Sequence, residues 1–332
     1  MAAAFALLFL ARIAPAAAEE GQDYLVTLST IRARSLAMGG AYISRKDLFC
    51  ALDFNPAGFD LHTDSDNFQI SCFINPLGPY LIYKNRDIIT HWTTPLNWVI
   101  RGIGIKTGKY SFGLLLGEEI FSYTERLDRT KFFDGSDYEW HTNSTMGMSI
   151  ALAPRVSLGL AADFYSRDLG DEKTVDIGYR YGVILQPRPY LSVGLSYCDF
   201  PNDFRQDRMR LERLADETLN IGISCTPVRY LTISLDVRNV SDEERGAGRE
   251  PHVGMEWTPF SHLMLRGGFY RIADEKTDVY SCGVGFFNGN ILLPQEKRFH
   301  HVQPVVNAAV IWESQPDRVN HWFILSLMLR VL

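Results

Sequence analysis

VSLGLAADFY, residues 156–165, sets Val156, Leu158, Leu160, Ala162 and Phe164 against Ser157, Gly159, Ala161, Asp163 and Tyr165. Successive side chains of a strand leave by opposite faces, so this ribbon has one apolar face and one face of mostly small or polar groups. LSVGLSYC (191–198) and LTISLDVR (231–238) repeat the arrangement. The strands come in pairs around a proline: ALAPRVSLGLAADF, ILQPRPYLSVGLSY, SCTPVRYLTISLDV and EWTPFSHLMLRGGFY carry Pro154, Pro187, Pro227 and Pro259. Proline suits such turns because its φ is fixed and it owes no N–H to a ladder. Longer polar stretches, 121–137, 167–173, 200–216 and 240–249, separate the pairs.

Extended along the chain, the alternation predicts strands at roughly 67–75, 97–107, 110–120, 138–152, 155–166, 174–186, 190–199, 217–226, 229–239, 250–258, 262–271, 278–287, 302–313 and 320–331. An even count, with short turns at one end and long loops at the other, is the pattern of a transmembrane antiparallel β-barrel. The fold expected is therefore all-β, a barrel of about 14 strands. In the last strand Phe323, Leu325, Leu327, Leu329 and Val331 face lipid, and Ile324, Ser326, Met328 and Arg330 the interior. Trp92, Trp98, Trp140, Tyr190, Tyr230, Trp257, Trp312 and Trp322 fall near strand ends, where amphipathic rings form interfacial girdles.

Composition excludes several other classes. The 332 residues carry a net charge of -6, without the basic surplus of a nucleic-acid binder. Residues 1–18, MAAAFALLFLARIAPAAA, read as a secretory signal peptide, and no later apolar run is long enough for a membrane helix. The five cysteines are scattered without a CxxC pair, which gives neither a disulfide framework nor a thiolate metal site. There is no G-x-S-x-G motif, and adjacent His300 and His301 point to opposite faces of a strand. An enzyme, a metal and a cofactor are therefore not expected.

Residues 19–66 lack the alternation and divide the chain into a signal peptide (1–18), a compact segment ahead of the wall (19–66), the one that the resemblance given below makes a hatch, and a barrel (67–332). A short helix is expected over Thr27 to Met38, stopped by Gly39-Gly40, with another turn or two over Asp47 to Phe54. Asn55-Pro56-Ala57-Gly58 reads as a turn in which Asn55 bonds its own backbone and Gly58 takes the left-handed position. The lumen of the barrel is the natural place for so compact a segment. Both termini are expected on the short-turn, periplasmic side.

ARSLAMGGAYIS (33–44) followed by LFCALDFNPAGF (48–59) resembles the N-terminal signature of the FadL-like outer-membrane proteins, the long-chain fatty acid transporter superfamily that includes the PorV-type proteins. Arg34, Ser35, Met38, Gly39, Gly40, Ala41, Asp47, Ala51, Asn55, Pro56, Ala57 and Gly58 carry the resemblance. It implies a fourteen-stranded outer-membrane barrel with an N-terminal hatch in its lumen, passing hydrophobic substrates by ligand-gated shifts without ATP. Ser44-Arg45-Lys46-Asp47 stands where the family commonly has small residues and an acidic pair.

On this reading the chain takes up hydrophobic small molecules, long-chain fatty acids foremost, and its other partner is outer-membrane lipid. A PorV-like docking or shuttle role for an exported protein partner and a structural porin are the alternatives. Asp163, Asp236, Arg238, Arg266 and Arg330 fall on the polar strand face, where they line the lumen or contact the hatch. Arg34, Arg45 and Lys46 are the hatch's candidate partners for wall carboxylates.

Overall fold

The structure, a computed structural model, describes residues 22–27, 31–61, 68–84, 86, 93–119, 131–132, 141–168, 173–200, 217–241, 249–260, 263–272, 277–287, 302–314 and 319–331. The signal-peptide assignment, Trp92, Trp140 and most of the long polar stretches lie outside the described residues. In chain order the elements are β1 (Gln22–Thr27), α1 (Ala33–Leu36), α2 (Phe49–Phe54), β2 (Gln69–Ile74), α3 (Gly78–Lys84), α4 (Thr93–Val99), β3 (Ile100–Thr107), β4 (Tyr110–Glu119) and β5 (Lys131–Phe132). They continue with β6 (His141–Ala153), β7 (Val156–Asp168), β8 (Lys173–Arg188), β9 (Leu191–Asp199), β10 (Thr218–Val228), β11 (Leu231–Arg238), β12 (Glu250–Phe260), β13 (Leu263–Ile272), β14 (Thr277–Phe287), β15 (Val302–Ser314) and β16 (Val319–Val331).

Fourteen strands, β2 to β4 and β6 to β16, pair antiparallel in sequence order, and β16 meets both β15 and β2 to close the ring. Each of the fourteen expected strands has its counterpart there. Among the described residues no helix is long and apolar enough to cross a membrane. The alternation resolves into two faces: Ser192, Ser196 and Cys198 of β9 are buried, while Leu195 and Tyr197 between them are exposed. Leu160, Ile177, Ile223, Leu235 and Leu265 continue this outward apolar surface around the ring, which water would leave unsatisfied and a bilayer would cover.

The structure departs from expectation at the seam. The loop over 76–96 carries α3 and α4 rather than plain coil, and β2 stops at Ile74. There Asn75 Oδ1 accepts from Leu77 N at 3.0 Å, and Pro76 has no N–H to continue a ladder. Only Leu329–Val331 of β16 therefore pairs with β2, at Cys72–Ile74. The β-favouring sequence QDYLVT fills more of that edge, with β1 lying parallel to β16 over Val319 to Ile324. This shortens the expected Thr27–Met38 helix to the single turn of α1. The N-terminus itself lies outside the described residues. Gln22 stands beside Val319, at the opposite end of β16 from Val331. Trp98 and Trp322, expected in an interfacial girdle, are buried, because Trp322 falls in the inward register of β16.

Residues 31–61 lie within the ring. Leu36 and Ala37 pack with Tyr270, Ile311 and Trp322 on one side, and Phe49, Leu52 and Phe59 with Phe73, Leu115 and Met328 on another. The wall meets this segment with a belt of glycines that the register sets side by side: Gly104–Gly113–Gly147, Gly159–Gly182, Gly194–Gly222 and Gly254–Gly268. A methyl on Gly159 would stand 2.1 Å from Ala57 N, on Gly194 2.2 Å from Ile43 O, and on Gly268 2.0 Å from Gly39 N. Backbone thus packs on backbone where any larger side chain would push the segment away.

Candidate functional site: the lumenal segment and its clamps

The segment begins with one helical turn that its own glycines end. Gly40 N reaches back to Ser35 O and Gly39 N to Leu36 O, while both glycines hold positive φ, +60° and +71°. That conformation suits glycine and turns the chain sharply toward β11 to β14. The wall then takes up the turn's polar groups. Ser281 Oγ accepts from Gly39 N at 2.9 Å and donates to Ala37 O at 3.1 Å, and His252 Nδ1 lies 2.6 Å from Gly39 O. Arg238 donates to Gly40 O, and the Asp236 carboxylate accepts from the backbone N–H of Tyr42 and Ile43 at 2.6 and 2.9 Å.

A second grip is ionic. Arg34 pairs its guanidinium bidentately with Glu256 of β12, Nε–Oε2 and Nη2–Oε1 both 3.0 Å, and its Nη1 reaches Asp47 Oδ1 at 2.7 Å. Arg45 adds a contact to Glu256 Oε1 at 2.7 Å, and Arg266 of β13 one to Oε2 at 2.7 Å. One carboxylate is held by three guanidiniums, two from the segment and one from the wall. Bidentate pairs of this kind fix geometry as well as supply energy. Burial opposes the charge of Arg34, but Asp47 and Glu256 outweigh it and hold its pKa well above the ordinary value. Burial also pushes the Tyr42 phenol well above its usual range, against the pull of Arg34, so Tyr42 stays a donor to Asp47.

A third grip lies toward β6 to β8. Arg32 Nε meets Asp53 Oδ2 at 2.8 Å within the segment, and Arg180 of β8 approaches Asp53 Oδ1 at 3.5 Å. Arg180 in turn pairs with Asp163 of β7, which also accepts from Thr145 Oγ1 at 2.6 Å. Asn55 sits beside this group, its Nδ2 donating to Ile43 O, Val183 O and Leu195 O at 2.7, 3.2 and 3.1 Å while Oδ1 accepts from Ala57 N. That last bond makes the Asn55-Pro56-Ala57 turn, followed by one 3-10 turn over Pro56–Gly58. Gly58 is not among the residues of positive φ, which corrects the expected left-handed turn. A methyl there would meet Arg45 O at 2.2 Å, so glycine is required by crowding. At the segment's end Arg330 donates to Leu61 O at 2.6 Å, and Lys106 meets Asp60 at 3.0 Å. Burial lowers the pKa of neighbouring Lys46, against the pull of Asp60 and with Lys106 adding to the shift.

Of the motif residues, Arg34, Asp47 and Asn55 make the polar contacts described, and Ser35 Oγ donates to Arg32 O within the helical turn. Met38, Pro56 and Ala57 press on Gly254 and Gly159. Asp163, Asp236, Arg238, Arg266 and Arg330 are all buried, spread over four sides of the segment rather than gathered at one point. Glu256, Arg180, Asp53, Arg32 and His252 join these contacts without belonging to the motif or to the expected lumenal set. The alternation held the signal for Glu256 and His252, which share the inward row of β12 with Gly254.

A cavity of about 20 Å³, room for a single water, lies among Ile31, Arg34, Leu48, Phe49, Phe73 and Met328. Among the described residues no cluster of His, Cys, Asp and Glu is arranged to hold a metal.

No family model matches the sequence, and no curated protein does. Among solved structures the chain is similar to a doubly substituted variant of the Rh. blastica porin, at 10% identity over 69% of this chain and 75% of that one, with a TM-score of 0.36. A triply substituted variant of the same porin matches at 11% identity over the same shares, with a TM-score of 0.35. Likeness this low carries no argument about what the barrel does.

Proposed function

We propose that this chain is an outer-membrane barrel that admits hydrophobic small molecules, long-chain fatty acids first among them, past a lumenal hatch that shifts without ATP. The observation that carries the reading is how residues 31–61 are held. They occupy the ring, yet among the described residues their bonds to the wall run through side chains such as Glu256, Asp236, Arg238, Ser281 and Asn55. A plug seated on side-chain bonds is released by exchanging those bonds, with the wall's ladder left intact. The apolar outer surface and the FadL-like signature support the same reading. A docking or shuttle protein is the second reading, favoured by the wall's bonds to backbone groups around Gly39 and Gly40, which hold that turn in place.

Proteoliposomes separate the readings. A hatch-gated channel speeds entry of labelled oleate over protein-free vesicles while excluding sugars and showing no steady conductance. An open porin swells the vesicles with sugars and conducts steadily. If neither oleate nor sugar enters faster, transport is refuted and the docking reading stands.

A further inference from the structure

The proline turns stand out in the sequence, and nothing in the hatch or its clamps uses them. Each of four successive short turns carries one cation: Lys109 between β3 and β4, Arg155 between β6 and β7, Arg188 before the turn to β9, and Arg229 between β10 and β11. All four are exposed. Adjacent hairpins of a sheet place them about 10 Å apart, two strand spacings, along one arc of the rim. Three of the turns add a tyrosine just after the cation, Tyr110, Tyr190 and Tyr230, at 38%, 53% and 55% exposure. These rings are not core. Tyr110 stacks on Phe112 of the outward face, and Lys109 Nζ lies 5.5 Å from the Tyr110 ring. Arg155 Nη1 reaches Pro187 O at 3.3 Å, which holds that guanidinium along the rim toward the next turn.

The opposite ends of the strands carry both signs with acid in excess, Arg249 and Arg271 being among the exposed cations described there. Asp176, Asp199, Glu217 and Asp278 lie there, with Arg271 3.6 Å from Asp278. The described, exposed residues of the four short turns include no acid. A row of cations over amphipathic rings, directly above an apolar wall, matches a bilayer interface. The cations meet anionic phosphate, the rings lie at headgroup depth, and the wall meets the chains. An acidic protein partner would satisfy the cations but gives no reason for the rings or for their place at the edge of the apolar band.

We propose that the short-turn rim from β3 to β11 binds the anionic phosphate headgroups of phospholipids in the leaflet it faces, giving the barrel a preferred lipid shell on that side. This rests on the reading that the barrel spans a membrane.

The test uses the full chain in phosphatidylcholine bilayers with trace spin-labelled phosphatidylglycerol or phosphatidylcholine, and compares the motionally restricted fraction of each. Wild-type protein is expected to favour phosphatidylglycerol about two- to fivefold. The combined variant Lys109→Gln, Arg155→Gln, Arg188→Gln and Arg229→Gln brings the ratio to about one, and 1 M salt does the same to wild type, since screening then acts over about 3 Å. Heat-modifiable gel migration checks that the variant folds; if it does not, Arg188→Gln with Arg229→Gln alone is expected to halve the preference. Incorporation with equal association of the two lipids, or a preference that survives the substitutions, overturns the inference and leaves the barrel reading standing. Failure of folded protein to enter bilayers overturns both.

Discussion

Glu256→Gln tests whether the lumenal segment is held as its contacts imply. The substitution preserves shape and removes one negative charge from among Arg34, Arg45 and Arg266, whose four contacts to the carboxylate are 2.7 to 3.0 Å long. Glutamine keeps one acceptor and turns an NH2 group toward a guanidinium, donor against donor. Removing one partner of a buried ion pair costs about 3–5 kcal/mol. Arg34 retains Asp47 at 2.7 Å, which places the expectation at the lower end, about 3 kcal/mol or roughly a hundredfold. Two assays read it. Chemical unfolding in detergent, followed by tryptophan fluorescence, should lose about that much stability or show an early transition from release of the segment. Planar-bilayer recordings should show brief openings that wild type lacks. Adding Arg266→Gln relieves the excess positive charge and should restore part of the loss, since the two sites share one contact. A change within about 0.5 kcal/mol, with unaltered recordings, would refute the claim that this clamp seats the segment.

Two further substitutions probe the other grips. Gly159→Val puts side-chain atoms where Ala57 N already stands 2.1 Å from the first added carbon; the wall should still form by heat-modifiable migration, while residues 31–61 become sensitive to protease. Unchanged protection would show that the belt does not set the fit. Asn55→Ala removes three donations and the turn's own acceptor, an expected loss of about 1–3 kcal/mol in thermal or chemical unfolding. Asn55→Asp should be worse, because it turns a carboxylate toward the three carbonyl oxygens, and a milder effect than alanine would contradict the hydrogen-bond assignment.

Much of the wall was legible because its rule is local. A strand between two media declares itself every second residue, and proline marks the turn, so all fourteen barrel strands fall where the alternation puts them. The seam was not legible, since it depends on β2 stopping at Ile74 and on β1 arriving from a distant part of the chain. The clamps were legible by half. Inward register singles out Asp236, Arg238 and Arg266, and by the same rule would single out Glu256 and Arg180. Nothing local says that Glu256 meets residues 34, 45 and 266 at once, because a lumenal segment can lie against any of fourteen strands. The glycines show the limit most clearly. On a strand face they read as small residues, and only the closed ring, which puts Gly159 beside Gly182 and both against Asn55-Pro56-Ala57, turns them into a seat.

The arrangement of the grips bears on how the segment would move. Around Gly39 and Gly40 the wall bonds backbone groups, through Ser281, Arg238 and Asp236, and such bonds hold a turn in place whatever its side chains do. Around Glu256 and Asp53 the bonds run between ionised side chains, which can exchange partners: Arg34 already touches both Asp47 and Glu256, and Asp53 is approached by both Arg32 and Arg180. On the proposed hatch reading, the glycine turn is therefore the fixed point and the ionic clamps the releasable ones. A ligand that carried its own carboxylate to the Arg34 and Arg45 guanidiniums would compete with Glu256 directly. Such competition loosens the segment only to the extent that the ligand binds the released state more tightly than the seated one.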